Sequence, residues 1–145
     1  MRIMRFSEWK YPEITERTLT SYYWLVHHKD NLKLGYKTDI GAFTYINAQK
    51  GVTIEDYVQI GSHCSLYSLS TIDGKEGPIT LKRNSRIGTH SVILPGVTVG
   101  ENSVVGACSL VDRDIPPNVV AFGTPAVVQR PLTPEEILKS EGEAA

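Results

Sequence analysis

Aliphatic residues recur at every sixth position through the middle of the chain, and neither common secondary structure uses that spacing. In RIGTHSVILPGVTVGENSVVGACSLV, residues 86–111, they fall at Ile87, Ile93, Val99, Val105 and Val111. On an α-helix a step of six turns by about 600°, or about 240° net, which scatters the five side chains over three faces. One long strand would keep them on one face, but Gly88, Pro95, Gly96, Gly100 and Gly106 interrupt it repeatedly. A coil of short strands joined by tight turns satisfies both constraints.

Counted backwards, the column continues through Leu81 and, past a longer gap, through Ile72, Leu66, Ile60 and Ile54; a second gap leads to Ile46, Ile40 and Leu34. Four residues after each comes a small or β-branched residue, such as Thr44, Cys64, Ser70, Ser91 and Ser109. The exceptions, Lys50 and Glu76, fall in two insertions, NAQKGVT and DGKEGP. Glycine often follows the aliphatic directly, as at Gly61, Gly88 and Gly106. The columns describe a solenoid. Large aliphatics stack inward on their equivalents one coil away, and the smaller residues fit where the prism narrows. Strands of neighbouring coils lie about 4.8 Å apart and bond along the axis. Glycine is expected to supply restricted backbone angles at the corners.

A length of 145 residues suits one domain, and a formal net charge of −1 gives no global attraction to nucleic acid or an anionic membrane. No nucleic-acid or membrane partner is expected. No apolar run approaches the ~18 residues needed to span a bilayer, and MRIMRFSEWKYPE lacks a signal-like apolar stretch, so a cytoplasmic location is expected. Cys64 and Cys108 read as free thiols. Residues 1–33 read as an N-terminal cap, a short helix or irregular segment covering the first coil. Residues 34–128 form the coil, with insertions near 47–53 and 73–80. Residues 129–145 hold a helix and tail, because TPEEILK is a capping box with Thr133 as N-cap, Pro134 first in the helix and Glu136 three residues on.

The repeat resembles that of the hexapeptide-repeat acyltransferases. The segment ILPGVTVGENSVVGACSLVDRDIPPNVVAFGTPAVV, residues 93–128, is similar to the closing segment of their galactoside, maltose and xenobiotic acetyltransferase branch. The resemblance implies an all-β solenoid, a left-handed parallel β-helix with three hexapeptides per triangular turn, about four turns here, and a short C-terminal helix. It also implies a homotrimer, acetyl-CoA as co-substrate, and a sugar, nucleotide-linked sugars included, as acceptor of the acetyl group at an amino or hydroxyl group. On the family pattern Thr89 and Ala107 lie along the pantetheine arm, and Gly123, Thr124, Pro125 and Ala126 lie near its exit. Arg130 is placed to meet a CoA phosphate, since a guanidinium suits phosphate geometry.

Acetyl transfer needs an acceptor, preferably a base, and donors for the tetrahedral oxyanion. The histidine that precedes the external loop in the galactoside-type enzymes has no counterpart in SLSTIDGKEG, and the loop is shorter. His63 and His90 each follow an aliphatic by three residues and should project outward, on adjacent faces by the three-per-coil count. His63, near the DGKEGP insertion, is the preferred base and His90 the second. Base-free transfer to a neutral amine stays open, because such an amine is already nucleophilic. Asn47 matches an asparagine that contacts sugar hydroxyls in the galactoside branch, and Asp73 is a candidate to hold a substrate amine. His27 and His28 read as structural. γ-Type carbonic anhydrases share the fold but hold zinc through three histidines; the coils supply two, so no metal is expected. A non-enzymatic hexapeptide scaffold is the alternative reading.

Overall fold

The computed structural model describes residues 8–144. The chain winds as a three-sided prism. The first turn is β1 (Leu25–His27), β2 (Leu32–Leu34) and β3 (Asp39–Ile40); the second is β4 (Tyr45–Asn47), β5 (Val52–Ile54) and β6 (Gln59–Ile60). The third is β7 (Ser65–Tyr67), β8 (Ile79–Leu81) and β9 (Arg86–Ile87); the fourth is β10 (Val92–Ile93), β11 (Thr98–Val99) and β12 (Val104–Val105). The fifth comprises β13 (Leu110–Val111), a bridge from Ile115 to Val99, and β14 (Val119–Gly123). Every third strand pairs in parallel, giving the sheets β1-β4-β7-β10-β13, β2-β5-β8-β11 and β3-β6-β9-β12-β14. A last strand, β15 (Ala126–Pro131), returns antiparallel along β14, and helix α1 (Pro134–Ala144) closes the chain. No helix among the described residues is long and apolar enough to cross a membrane.

The six-residue column is the core. Val26, Ile46, Leu66, Ile93 and Val111 stack in register up the first sheet, all fully buried. Ile40, Ile60, Ile87, Val105 and Ala121 do the same on the third. Thr44, Cys64, Ser91 and Ser109 form the small inward column, and they do more than fill space. The Thr44 hydroxyl donates to the Gly61 carbonyl, the Cys64 thiol to Gly88, and the hydroxyls of Ser91 and Ser109 to Gly106. Part-buried backbone carbonyls at this corner thereby gain partners.

Three expectations are corrected. The prism has about five turns, not four, because coiling begins before the six-residue count does: Val26 already stacks on Ile46, but eight residues separate it from Leu34. Ile72 is not a core residue. It is 98% exposed on the second insertion, whose ends are joined by the Leu69–Glu76 bridge, and Ser68 rather than Ser70 is buried. The glycines after the aliphatics do not supply positive φ. A Cβ on Gly88 would stand 2.5 Å from the backbone nitrogen of Ala107 one coil up, so this position is glycine for close approach. The left-handed angles belong to the residue two further on, which is rarely glycine: Phe43, Tyr57, His63, Asn84, His90, Asn102 and Cys108 all have φ between 57° and 63°.

The ends close the prism as irregular chain below and a helix above. Residues 8–20 form no helix; the Trp9 indole donates to the Thr38 carbonyl, Ile14 packs on the core, and the Arg17 amide bonds Val26. Residues 1–7 of the cap lie outside the described residues. The capping box forms reciprocally, with Glu136 N–H donating to Thr133 Oγ1 at 3.1 Å and Thr133 N–H to Glu136 Oε1 at 3.0 Å. The helix docks through Ser140 on a ladder of left-handed corner asparagines. Asn84 Nδ2 donates to Ser140 Oγ and Asn102 Oδ1, and Asn102 Nδ2 donates to Asn118 Oδ1, each at 2.8 Å.

Candidate active site

The corner that leads into the first sheet carries the chemistry-bearing residues. At its left-handed position, one coil above another, stand Tyr23, Phe43, His63, His90 and Cys108, the last four each linked to the coil below by the backbone amide. The His63 and His90 rings stack with centroids 4.8 Å apart and planes 4° from parallel, and Phe43 lies 5.3 Å below His63. The two histidines therefore share one corner and are not on adjacent faces. The nine-residue loop from Leu69 to Gly77 lengthens the third turn, which hides the alignment from a count along the sequence.

The residues expected along the pantetheine arm lie on the same corner. Thr89 and Ala107 occupy the position before His90 and Cys108, and the Cys108 amide donates to the Thr89 carbonyl at 2.9 Å. Above them Gly123, Thr124, Pro125 and Ala126 make the β14–β15 turn. The Gly123 amide donates to Ser109 Oγ, the Thr124 hydroxyl to the Cys108 carbonyl, and the Thr124–Pro125 peptide is cis. Thr124 and Pro125 are exposed, whereas the Ala126 methyl faces the core and leaves only its backbone to a ligand.

Three expected residues stand elsewhere. Arg130 is on β15 with its guanidinium in a fork on Glu136, 2.7 and 3.1 Å from the two carboxylate oxygens. The guanidinium and the Thr133 amide hold the Glu136 carboxyl down to about 2, so meeting a phosphate requires Arg130 to leave a filled site. Asn47 and Asp73 lie at the opposite edge of the first sheet from His63. Asn47 Oδ1 accepts from the Gln49 amide in a local turn, and Asp73 accepts from the Lys75 amide within the insertion, which keeps its carboxyl below the usual range. One chain does not bring them to the histidine pair.

Two features escaped the sequence reading. Cys108 is exposed at the corner one coil above His90; what signals it is its place three residues after Val105, the same offset as both histidines. Glu16, His27 and His28 bring three ligand atoms within 4.8 Å of one another. The Glu16 carboxylate accepts the amides of His28 and Lys29, which hold it below its ordinary range. His27 Nε2 is buried without a hydrogen bond, and burial pushes its imidazole down. The two rings lie face to face at 4.1 Å, so no single ion sits in both ring planes as they stand.

Set beside known proteins, this geometry has a family. Residues 78–113 match the model of the bacterial transferase hexapeptide, six repeats. The galactoside O-acetyltransferase of Lactococcus lactis subsp. lactis (strain IL1403) is 34% identical over 113 residues, 68% of this chain and 55% of that protein. The galactoside O-acetyltransferase of Escherichia coli (strain K12) is 60% identical over 55 residues, 38% of this chain and 27% of that protein. Among solved structures, a hexapeptide-repeat containing acetyltransferase from Vibrio cholerae superposes with a TM-score of 0.71 at 30% identity, covering 76% of this chain and 68% of that one. The same Vibrio protein is known complexed with acetyl coenzyme A. The chain belongs to the bacterial hexapeptide-repeat transferase family, and its prism is the left-handed parallel β-helix expected from the resemblance. It spans about a quarter to a little over half the length of the two galactoside O-acetyltransferases.

Proposed function

We propose that this protein is an acyltransferase that moves the acetyl group of acetyl-CoA onto an amino or hydroxyl group of a sugar, nucleotide-linked sugars included. One observation carries the reading. The histidine pair stands on the same corner as Thr89, which adjoins His90, and as Ala107 one coil up, with the Gly123–Ala126 turn above Cys108. A thioester lying along that corner presents its carbonyl carbon beside an imidazole, which is what general-base acyl transfer requires. The relatives named galactoside O-acetyltransferase and the Vibrio complex with acetyl coenzyme A support the donor and the acceptor class.

In this reading Thr89, Ala107 and the Gly123-Thr124-Pro125-Ala126 turn hold the pantetheine arm. One imidazole of the His63–His90 pair takes the acceptor proton, and the other keeps its ring in place by stacking. Arg130 reaches a CoA phosphate only by leaving Glu136. Asn47 and Asp73 contact the acceptor from a neighbouring subunit of a homotrimer, because within one chain they lie across the first sheet from the histidines. The enzyme works in the cytoplasm, where acetyl-CoA is made. Release of free thiol from acetyl-CoA, followed across amino sugars, neutral sugars and nucleotide-sugars, is the test. Turnover with any of them supports the reading; failure to bind CoA at millimolar concentration ends it and leaves the scaffold alternative.

A further inference from the structure

The Thr89 hydroxyl makes three polar contacts, and its single proton serves only one of them. Oγ1 lies 2.7 Å from the Ser62 carbonyl oxygen, 3.1 Å from the Ser62 hydroxyl and 2.9 Å from Nδ1 of His90. A carbonyl oxygen can only accept, so at 2.7 Å the Thr89 proton lies on that line; without it two sets of lone pairs would face each other. The other two contacts then fall on the lone pairs of Oγ1. The Ser62 hydroxyl donates into one, and Nδ1–H of His90 donates into the other. Every group in the network is satisfied by this assignment. Moving the Thr89 proton to His90 Nδ1 leaves the 2.7 Å contact without a hydrogen.

We propose that Thr89 is a positioning residue that fixes His90 as the Nδ1–H tautomer, so that His90 Nε2 is the proton acceptor in acetyl transfer. The inference rests on the acetyltransferase reading above and revises its order of bases. Among the described residues no hydrogen bond orients the His63 ring, which is held only by stacking between Phe43 and His90. The step balances. The acceptor O–H or N–H proton passes to Nε2 as the acceptor atom attacks the thioester carbonyl carbon. Collapse of the tetrahedral intermediate breaks the C–S bond, and the leaving thiolate recovers the proton from the imidazolium. During that interval the second N–H of the imidazolium stays bonded to Thr89 Oγ1. The arrangement uses a threonine where other acyl-transfer sites use a carboxylate or a carbonyl to set the tautomer.

The test has a readout that does not depend on turnover. In the full chain labelled with ¹⁵N-histidine, His90 is expected to show a protonated Nδ1 and an unprotonated Nε2 near neutral pH, and Thr89→Val to shift the ring towards Nε2–H. In steady state Thr89→Val should lower kcat about 100-fold, the scale of a misplaced general base. Thr89→Ser, which keeps the hydroxyl, should restore both tautomer and kcat, separating positioning from a packing defect. A wild-type His90 in the Nε2–H form overturns the proposal. So does a Thr89→Val protein with unchanged kcat, or activity that survives His90→Ala but is lost in His63→Ala. If the wild-type chain turns over no acetyl-CoA while binding it, the acetyltransferase reading falls, and the nitrogen shifts alone decide the Thr89 assignment.

Discussion

Two corners of the prism share a backbone and differ in everything attached to it. Both place a left-handed residue three positions after a core aliphatic, and both rely on a glycine pressed against the coil above, Gly88 at one and Gly100 at the other. At one corner that residue is Lys37 or Tyr57 in the lower coils and, beneath α1, Asn84, Asn102 or Asn118, the asparagine amides bonded into a ladder, with Asn84 and Asn102 buried. Asparagine visits the left-handed region at the lowest cost of any residue with a side chain. At the other corner it is Phe43, His63, His90 or Cys108, all exposed. These side chains gain less from the conformation and have no ladder to repay it. The upper asparagines use their side chains to hold a helix, whereas Phe43, His63, His90 and Cys108 turn theirs to solvent, where a ligand can meet them.

Substitutions can break this contrast, and the largest effect is expected at the imidazole. His90→Ala should cut acetyl transfer about 10²- to 10⁴-fold, the range of a lost general base, and leave the thermal midpoint nearly unchanged. Paired kinetics and melting curves check it; a melting defect of comparable severity would make His90 a corner residue like the asparagines. Next come the glycines. Gly88→Ala and Gly100→Ala should each destabilise by about 1–3 kcal/mol or more in denaturant titrations, because the added methyl meets backbone that cannot retreat. Similar losses at both would establish that the corners share one frame. Asn102→Ala should cost about 1–3 kcal/mol, since Asn84 and Asn118 each lose a buried partner, with acetyl transfer unaffected.

The smallest effect is a pH dependence confined to the helix side. The Glu136 carboxyl is held at about 2 in the fold against an ordinary 4.5, chiefly by Arg130. Its contribution is complete above about 4.5 and disappears as the pH falls towards 2. Wild type should therefore lose more stability across that window than Glu136→Gln. Equal losses would mean that the Arg130 fork contributes nothing to docking α1.

The contrast between the corners also explains what could be read from the sequence. Inward positions were legible because only aliphatics fit the stack and only small residues fit where the prism narrows, so Ile87, Ile93 and Ser91 announce themselves. The capping box at Thr133 and Glu136 was legible because both partners lie within one turn of chain. Corner residues carry no mark of residue type, since solvent accepts any side chain, and Phe43, His63 and Cys108 share only an offset of three from a core aliphatic. The pairing of His63 with His90 was further hidden by the loop through Ile72, whose isoleucine mimics a core position. The first turn was missed because Val26 and Leu34 are eight residues apart, two too many for the period. What the sequence withheld was alignment between coils, which depends on loop lengths and not on residue type.

The central claim is that one corner, and not the other, receives the thioester. Backbone amide shifts of the full chain, followed during titration with coenzyme A, test it without any acceptor. Saturable changes are expected at Thr89, His90, Ala107, Cys108 and the turn from Gly123 to Ala126, with Asn84, Asn102 and Ser140 unmoved. Saturable changes at the asparagine ladder with a silent histidine corner would contradict it.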